Sequence, residues 1–144
     1  MAPPNNRLMI KTMTSLHRFW YRLTGGRLGG SFGKAQILLL STTGRKSGKE
    51  RTLPLIYVED GADLVLIASN GGDDRHPAWY LNLMADPSAT VTIKSESRKV
   101  TANTAGPEDR ARLWAKATEA YPRYDEYTKR TSREIPVVIL RPPS

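Results

Sequence analysis

The sequence predicts an α+β fold in which a meandering antiparallel sheet, or a small barrel, carries peripheral helices. Three observations point to it. From Gln36 onward, short apolar runs alternate with glycine-, asparagine- and aspartate-rich turns, as antiparallel neighbours require. Helical periodicity is confined to a segment near the N-terminus and to residues 77–85 and 106–120. The chain has 144 residues, 39% of them apolar and 25% charged, the size and balance of a globular domain with its own core.

Residues 5–23 place Leu8, Met9, Met13, Leu16, Phe19, Trp20 and Leu23 at three- and four-residue spacing, with Arg7, Lys11, Arg18 and Arg22 largely on the other face. That pattern predicts a basic amphipathic helix. Five glycines between Thr24 and Gly33 make a connector, and they do not fit G-x-G-x-x-G after a strand, which excludes a Rossmann turn. The expected division is 1–34 for helix and connector and 35–144 for the sheet domain. Ile37 to Thr43 reads as a buried strand, Gly44 to Lys49 as a turn, and Thr52 to Val58 as a second strand. Glu59 to Asp63 predicts a hairpin turn centred on Asp60-Gly61, and Leu64 to Ala68 a strand apolar enough to be covered on both faces. A loop over 70–76 leads to a helix opened by Pro77 at its first position and running to Ala85. Ala89–Ile93 and Arg98–Thr104 predict a further hairpin. Gly106-Pro107-Glu108-Asp109 starts a helix with acids in its first turn, and Ile135–Leu140 ends the pattern as a strand.

The charge is unevenly spread. Lysine and arginine number 22, aspartate and glutamate 14, for a net +8. Nine cations precede Glu50 and no acid does, whereas residues 50–144 carry 13 basic and 14 acidic side chains. A one-sided positive field implies an anionic partner. Nucleic acid is not the expected one, because no helix-turn-helix or RNP motif is visible and aromatics are not interleaved with the basic cluster. There is no cysteine, and His17 and His76 are the only histidines, so neither thiol chemistry nor a metal site is expected. No apolar run suggests a secretory signal or a membrane span, which predicts a cytoplasmic protein. The N-terminal amphipathic helix leaves two readings open: packing on the sheet domain, or peripheral contact with the inner face of a membrane.

Gly44-Arg45-Lys46-Ser47-Gly48-Lys49, followed by Arg51, sets four cations around two glycines. Glycine lets backbone N–H groups converge and arginine offers a planar fork to phosphate or carboxylate, so the turn reads as an anion site. A solvated basic hairpin is the plainer alternative. Ser69-Asn70-Gly71-Gly72 follows a buried strand and reads either as an ordinary loop or as backbone able to approach a flat ring. Trp79 and Leu83 share a helix face. Tyr121, Tyr124 and Tyr127 recur every three residues and form, if helical, a stripe on one side. His76, beside Asp73 and Asp74, is a loop histidine and a further candidate proton donor.

Thr42-Thr43-Gly44-Arg45-Lys46-Ser47-Gly48, Pro54-Leu55, Ala68-Ser69-Asn70-Gly71-Gly72, Pro77-Ala78-Trp79-Tyr80-Leu81-Asn82-Leu83 and Tyr121-Pro122-Arg123-Tyr124 stand in one order over about residues 36–141. Together they resemble the actinobacterial deazaflavin-dependent nitroreductase family of F420H2-dependent oxidoreductases. The resemblance implies a split β-barrel of the flavin-reductase, FMN-binding type. It also implies a bound 8-hydroxy-5-deazaflavin, coenzyme F420, whose tail carries a phosphodiester and a polyglutamate chain; FMN is the alternative cofactor. Carried over by motif, Arg45, Lys46, Ser47, Arg51, Pro54, Ala68, Ser69, Asn70, Trp79 and Asn82 would bind the cofactor. Tyr57, Tyr121, Tyr124 and Tyr127 would face the acceptor, with Ser69, Tyr121 and Tyr124 at the reacting centre. The family commonly has lysine at the position of Asn70, and its nitroreductase member has a tyrosine where this chain has Ile56. The implied activity is hydride transfer from reduced F420 to a small-molecule electron acceptor: a quinone, an activated enone or lactone, or a nitroaromatic. A non-catalytic F420 carrier is the rival reading. A monomer or a homodimer is expected.

Overall fold

A computed structural model of the chain describes residues 36–143. The helix expected over 5–23, the glycine-rich connector, the boundary at residue 34 and the expectation of membrane contact all lie outside the described residues. The described elements are β1 (Gln36–Thr43), β2 (Glu50–Asp60), β3 (Asp63–Ile67), α1 (Ala78–Ala85), β4 (Ser88–Ile93), β5 (Glu96–Thr104), α2 (Pro107–Ala120), α3 (Arg123–Tyr127) and β6 (Val137–Arg141), with a short 3-10 turn at Asn70–Gly72.

The six strands close into a barrel in the order β1-β2-β3-β6-β5-β4, every neighbouring pair antiparallel. Alternation along each strand sorts its side chains. Leu38 and Leu40 of β1 point inward, opposite Leu55 and Leu53 of β2, and meet Leu64, Leu66, Val91, Val100, Ala102, Val138 and Leu140 in the barrel core. β3 and β6 are covered on both faces. Their outward residues Val65, Ile67, Val137 and Ile139 pack against Leu113, Ala117 and Ala120, which repeat at i, i+4 and i+7 along α2. This second core covers the outer face of β3, so burial along β3 is continuous while along β1 it alternates.

Turn chemistry differs from expectation at three points. Asp60 pairs with Asp63, so the β2–β3 hairpin is centred on Gly61-Ala62 rather than Asp60-Gly61; Gly61 takes the left-handed φ of 61° that the first central position of such a turn uses. The β4–β5 hairpin turns on Lys94 and Ser95, with φ of 49° and 71°, where glycine or asparagine would be less strained. Pro77 is the N-cap of α1, with extended ψ, and Ala78 is its first helical residue. β2 also runs longer than Thr52–Val58, because Glu50 and Arg51 continue the ladder opposite Thr43 and Thr42. No helix among the described residues is long and apolar enough to cross a membrane.

Candidate functional site

The basic turn joins β1 to β2. It is a closed loop: the Gly44 N–H donates to Lys49 O at 2.7 Å, the Gly48 N–H to Gly44 O at 2.8 Å, and the Lys49 N–H to the Ser47 hydroxyl at 3.2 Å. A Cβ at Gly44 would stand 2.8 Å from Ser47 Oγ and 3.2 Å from the Lys49 carbonyl, so the turn closes this tightly only around glycine. Thr42, inward on β1 and buried, leads into it.

Helix α1 lies against β1 and completes a cleft of about 370 Å3. Arg45, Lys46 and Arg51 contribute cations to its lining, Leu53, Ala78 and Trp79 apolar surface, and Thr42, Ser47, Thr52 and Asn82 polar atoms. Asn82 is only 5% exposed. Its Oδ1 accepts from the Arg45 backbone N–H and from Arg45 Nη1, both at 3.1 Å, and its Nδ2 donates to Thr42 Oγ1 at 3.3 Å. The cleft has the size of a small-ligand site and combines cationic with apolar lining. That donor set fits a group with a flat ring and a phosphate- and carboxylate-bearing tail.

Six of the expected cofactor residues therefore meet in one place: Arg45, Lys46, Ser47, Arg51, Trp79 and Asn82. Others do not line this cleft. Pro54 pairs with Leu39 and points outward between the inward Leu53 and Leu55. Tyr57, expected to face the acceptor, is 2% exposed within the barrel core, where its hydroxyl donates to Gln36 Oε1 at 2.6 Å; burial pushes that phenol above its ordinary pKa.

Ala68, Ser69 and Asn70 belong to a second cluster, formed by the 68–76 loop and residues 127–133. The loop's carbonyls are engaged by arginines. Arg133 donates from Nε to Asp73 O at 2.8 Å and from Nη2 to Ser69 O at 2.9 Å and Ala68 O at 3.3 Å. Arg130 Nη1 donates to Gly71 O at 3.2 Å, and Thr131 Oγ1 to Asp74 Oδ1 at 2.7 Å. Asn70 is exposed, with a φ of 48°, and its Nδ2 donates to Arg75 O. Gly72 has a φ of 86°, and a Cβ there would come within 2.9 Å of Arg130 Cβ and 3.0 Å of Tyr127 O. His76 Nδ1 lies 3.1 Å from Arg133 Nη1. A guanidinium can only donate, so Nδ1 accepts and the ring is neutral with its proton on Nε2. Burial, then the nearby Arg133 charge, lowers the His76 pKa.

The three tyrosines gather, although α3 covers only two of them and Tyr121 caps α2. Tyr121 and Tyr124 rings are 4.9 Å apart, Tyr124 and Tyr127 rings 6.3 Å, and the Tyr121 and Tyr127 hydroxyls 3.5 Å. Tyr124 is 6% exposed in the outer core beside Trp114. Desolvation raises the pKa of the half-buried Tyr121 phenol to about 12 and that of the buried Tyr124 phenol further. The sequence carried no signal for the Arg133 clamp, whose carbonyl partners at 68 and 69 lie 65 and 64 residues away. Thr42 had one: it continues the inward alternation of Leu38 and Leu40.

Comparison with known proteins converges. A family model described as F420H(2)-dependent quinone reductase matches residues 13–142. An F420H(2)-dependent quinone reductase of Mycobacterium tuberculosis is 44% identical over 129 residues, covering 87% of each chain. A solved structure titled as an F420-H2 dependent reductase, FDR-A, is 43% identical with a TM-score of 0.68, covering 73% of this chain and 93% of that one. A second, titled as a domain-swapped dimer, is 35% identical with a TM-score of 0.69, covering 96% and 100%. The closed antiparallel barrel is thus a split barrel of the flavin-reductase type, with F420 as the cofactor that the family implies. From the ordered basic turn, the α1 wall and these likenesses it follows that the chain belongs to the F420H(2)-dependent quinone reductase family.

Proposed function

We propose that this protein is an oxidoreductase that takes hydride from reduced F420 and delivers it to a quinone. The observation that carries the reading is the meeting of Arg45, Lys46 and Arg51 with Leu53, Ala78 and Trp79 in one cleft. Reduced F420, when bound, supplies the hydride, because a deazaflavin has carbon in place of N5 and favours two-electron chemistry. The chain's own residues do the rest. Arg45, Lys46 and Arg51 hold the phosphate and tail carboxylates, with Ser47 adding a hydroxyl. Trp79, Leu53 and Ala78 give a flat ring an apolar surface and exclude water from it. Holding donor and acceptor in near-attack geometry provides the catalysis, and solvent protonates the reduced quinone, so no acid–base dyad is required. Activated enones, lactones and nitroaromatics present the same kind of electrophilic carbon or ring and are proposed as secondary acceptors.

Steady-state oxidation of reduced F420 by menadione tests this directly. Turnover that depends on the protein and falls at least tenfold in kcat/KM for Arg45→Ala is expected, as loss of a charged hydrogen-bonding partner implies. Binding without turnover across quinones, enones and nitroaromatics would establish a carrier instead. Tighter binding of FMN than of F420 would overturn the cofactor assignment.

A further inference from the structure

We infer that Asn82 is a positioning residue that acts on the anion through Arg45, by fixing the direction of its guanidinium. This rests on the F420 reading above and deepens it. The amide is engaged by the protein at both ends. Oδ1 takes two donors from one residue, the Arg45 backbone N–H and Arg45 Nη1, and Nδ2 is given to Thr42. The side chain is almost wholly buried, at 5% exposure. Arg45 itself is exposed, and its guanidinium would otherwise be free to rotate over the turn. Tethering one Nη1–H leaves the remaining N–H groups of the fork pointing in a restricted set of directions, which lowers the entropy lost when a phosphate or carboxylate is bound.

The tether also links two elements. Asn82 and Trp79 lie three residues apart on α1, and both line the cleft. The helix that supplies Trp79 to the cleft therefore also sets the direction of the Arg45 cation. Neutrality is part of the device. Aspartate at this position would keep an acceptor for Arg45 but add a negative charge behind the anion site.

A double-mutant cycle on F420 affinity, read by tryptophan fluorescence, tests the inference. Asn82→Ala is expected to weaken binding about tenfold and Arg45→Ala by at least that much, with the double variant no weaker than Arg45→Ala alone. Asn82→Asp should weaken binding too, while leaving the Arg45 guanidinium tethered. That tether is read without ligand from the Arg45 side-chain 15N signals: slow Nη rotation in the wild type and in Asn82→Asp, fast rotation in Asn82→Ala. A tenfold loss from Asn82→Ala that persists in the Arg45→Ala background would mean direct contact and overturn the inference. So would unchanged Arg45 dynamics in Asn82→Ala. If the wild type binds no F420, the cofactor reading fails; the ligand-free spectra then decide the tether, and the same cycle run with inorganic pyrophosphate decides whether it serves an anion.

Discussion

His76 shows how a single side chain reports its surroundings. Its Nδ1 must accept from Arg133, so the folded protein holds the ring neutral, and protonation would both break that bond and set two cations 3.1 Å apart. The folded pKa is lowered, so below the unfolded value of about 6.5 the unfolded chain binds the proton more readily. Stability is therefore full above that pH, falls as pH drops through the window between the unfolded and folded values, and then levels. Urea unfolding between pH 8 and pH 5 should show this step, and His76→Gln, which cannot titrate, should remove it; a step of equal size in the variant would exclude His76 as its source. The charged group facing the ring is Arg133, and the Tyr80 ring packs 5.0 Å from it. Sequence could name His76 as a loop histidine but not its role, because the partner that settles its tautomer lies 57 residues away.

At the scale of elements, short-range chemistry was legible and long-range packing was not. Six apolar or alternating runs became six strands, and the acids of Glu108 and Asp109 do open α2. The basic turn, read from glycine and cation spacing alone, closes as a loop and lines a cleft with α1. What spacing could not give is which strand face each loop serves. Pro54 and Tyr57 sit in the same strand as Arg51, yet alternation and core depth carry them away from the cleft. Turn geometry is a second gap. Lys94 and Ser95 both adopt left-handed φ without being glycine or asparagine, at a cost of about 1 kcal/mol each. Replacing the pair with Asn-Gly should relieve that strain and raise stability by about 1 kcal/mol, measured as a higher denaturation midpoint with an unchanged m-value. No gain would mean that the turn is held by contacts that the flanking hairpin imposes.

For the molecule as a whole, the net +8 resolves into parts with different uses. Arg45, Lys46 and Arg51 belong to the cleft, whereas Arg130 and Arg133 bind carbonyls of the 68–76 loop, and Arg112 and Lys116 hold Asp60 of β2 to α2. The last pairing keeps the Asp60 carboxyl below its usual range, chiefly through the Arg112 hydrogen bond. The cleft cations are the ones that the proposed cofactor would neutralise. A tight anionic cofactor should thus act on global stability by mass action, at about 2.7 kcal/mol when its concentration is 100 times Kd. Thermal melts with F420 should rise by roughly 5–10 °C under that condition and lose part of the gain as salt increases. An equal rise with FMN at matched concentration would argue that the cleft reads phosphate alone.

The strand order has a consequence for synthesis. β6 pairs with β3 on one side and β5 on the other, yet it is the last of the six to leave the ribosome. Until Val137–Arg141 emerges, β3 and β5 each present an open hydrogen-bonding edge, and the apolar outer residues of β3 lack β6 beside them. A nascent chain of this protein therefore carries the β3 edge from Ile67 onward, and the β5 edge as well from Thr104, until β6 follows. Stalling just before Val137 should yield a species that associates with other chains or with chaperones, and release of those five residues should end the hazard.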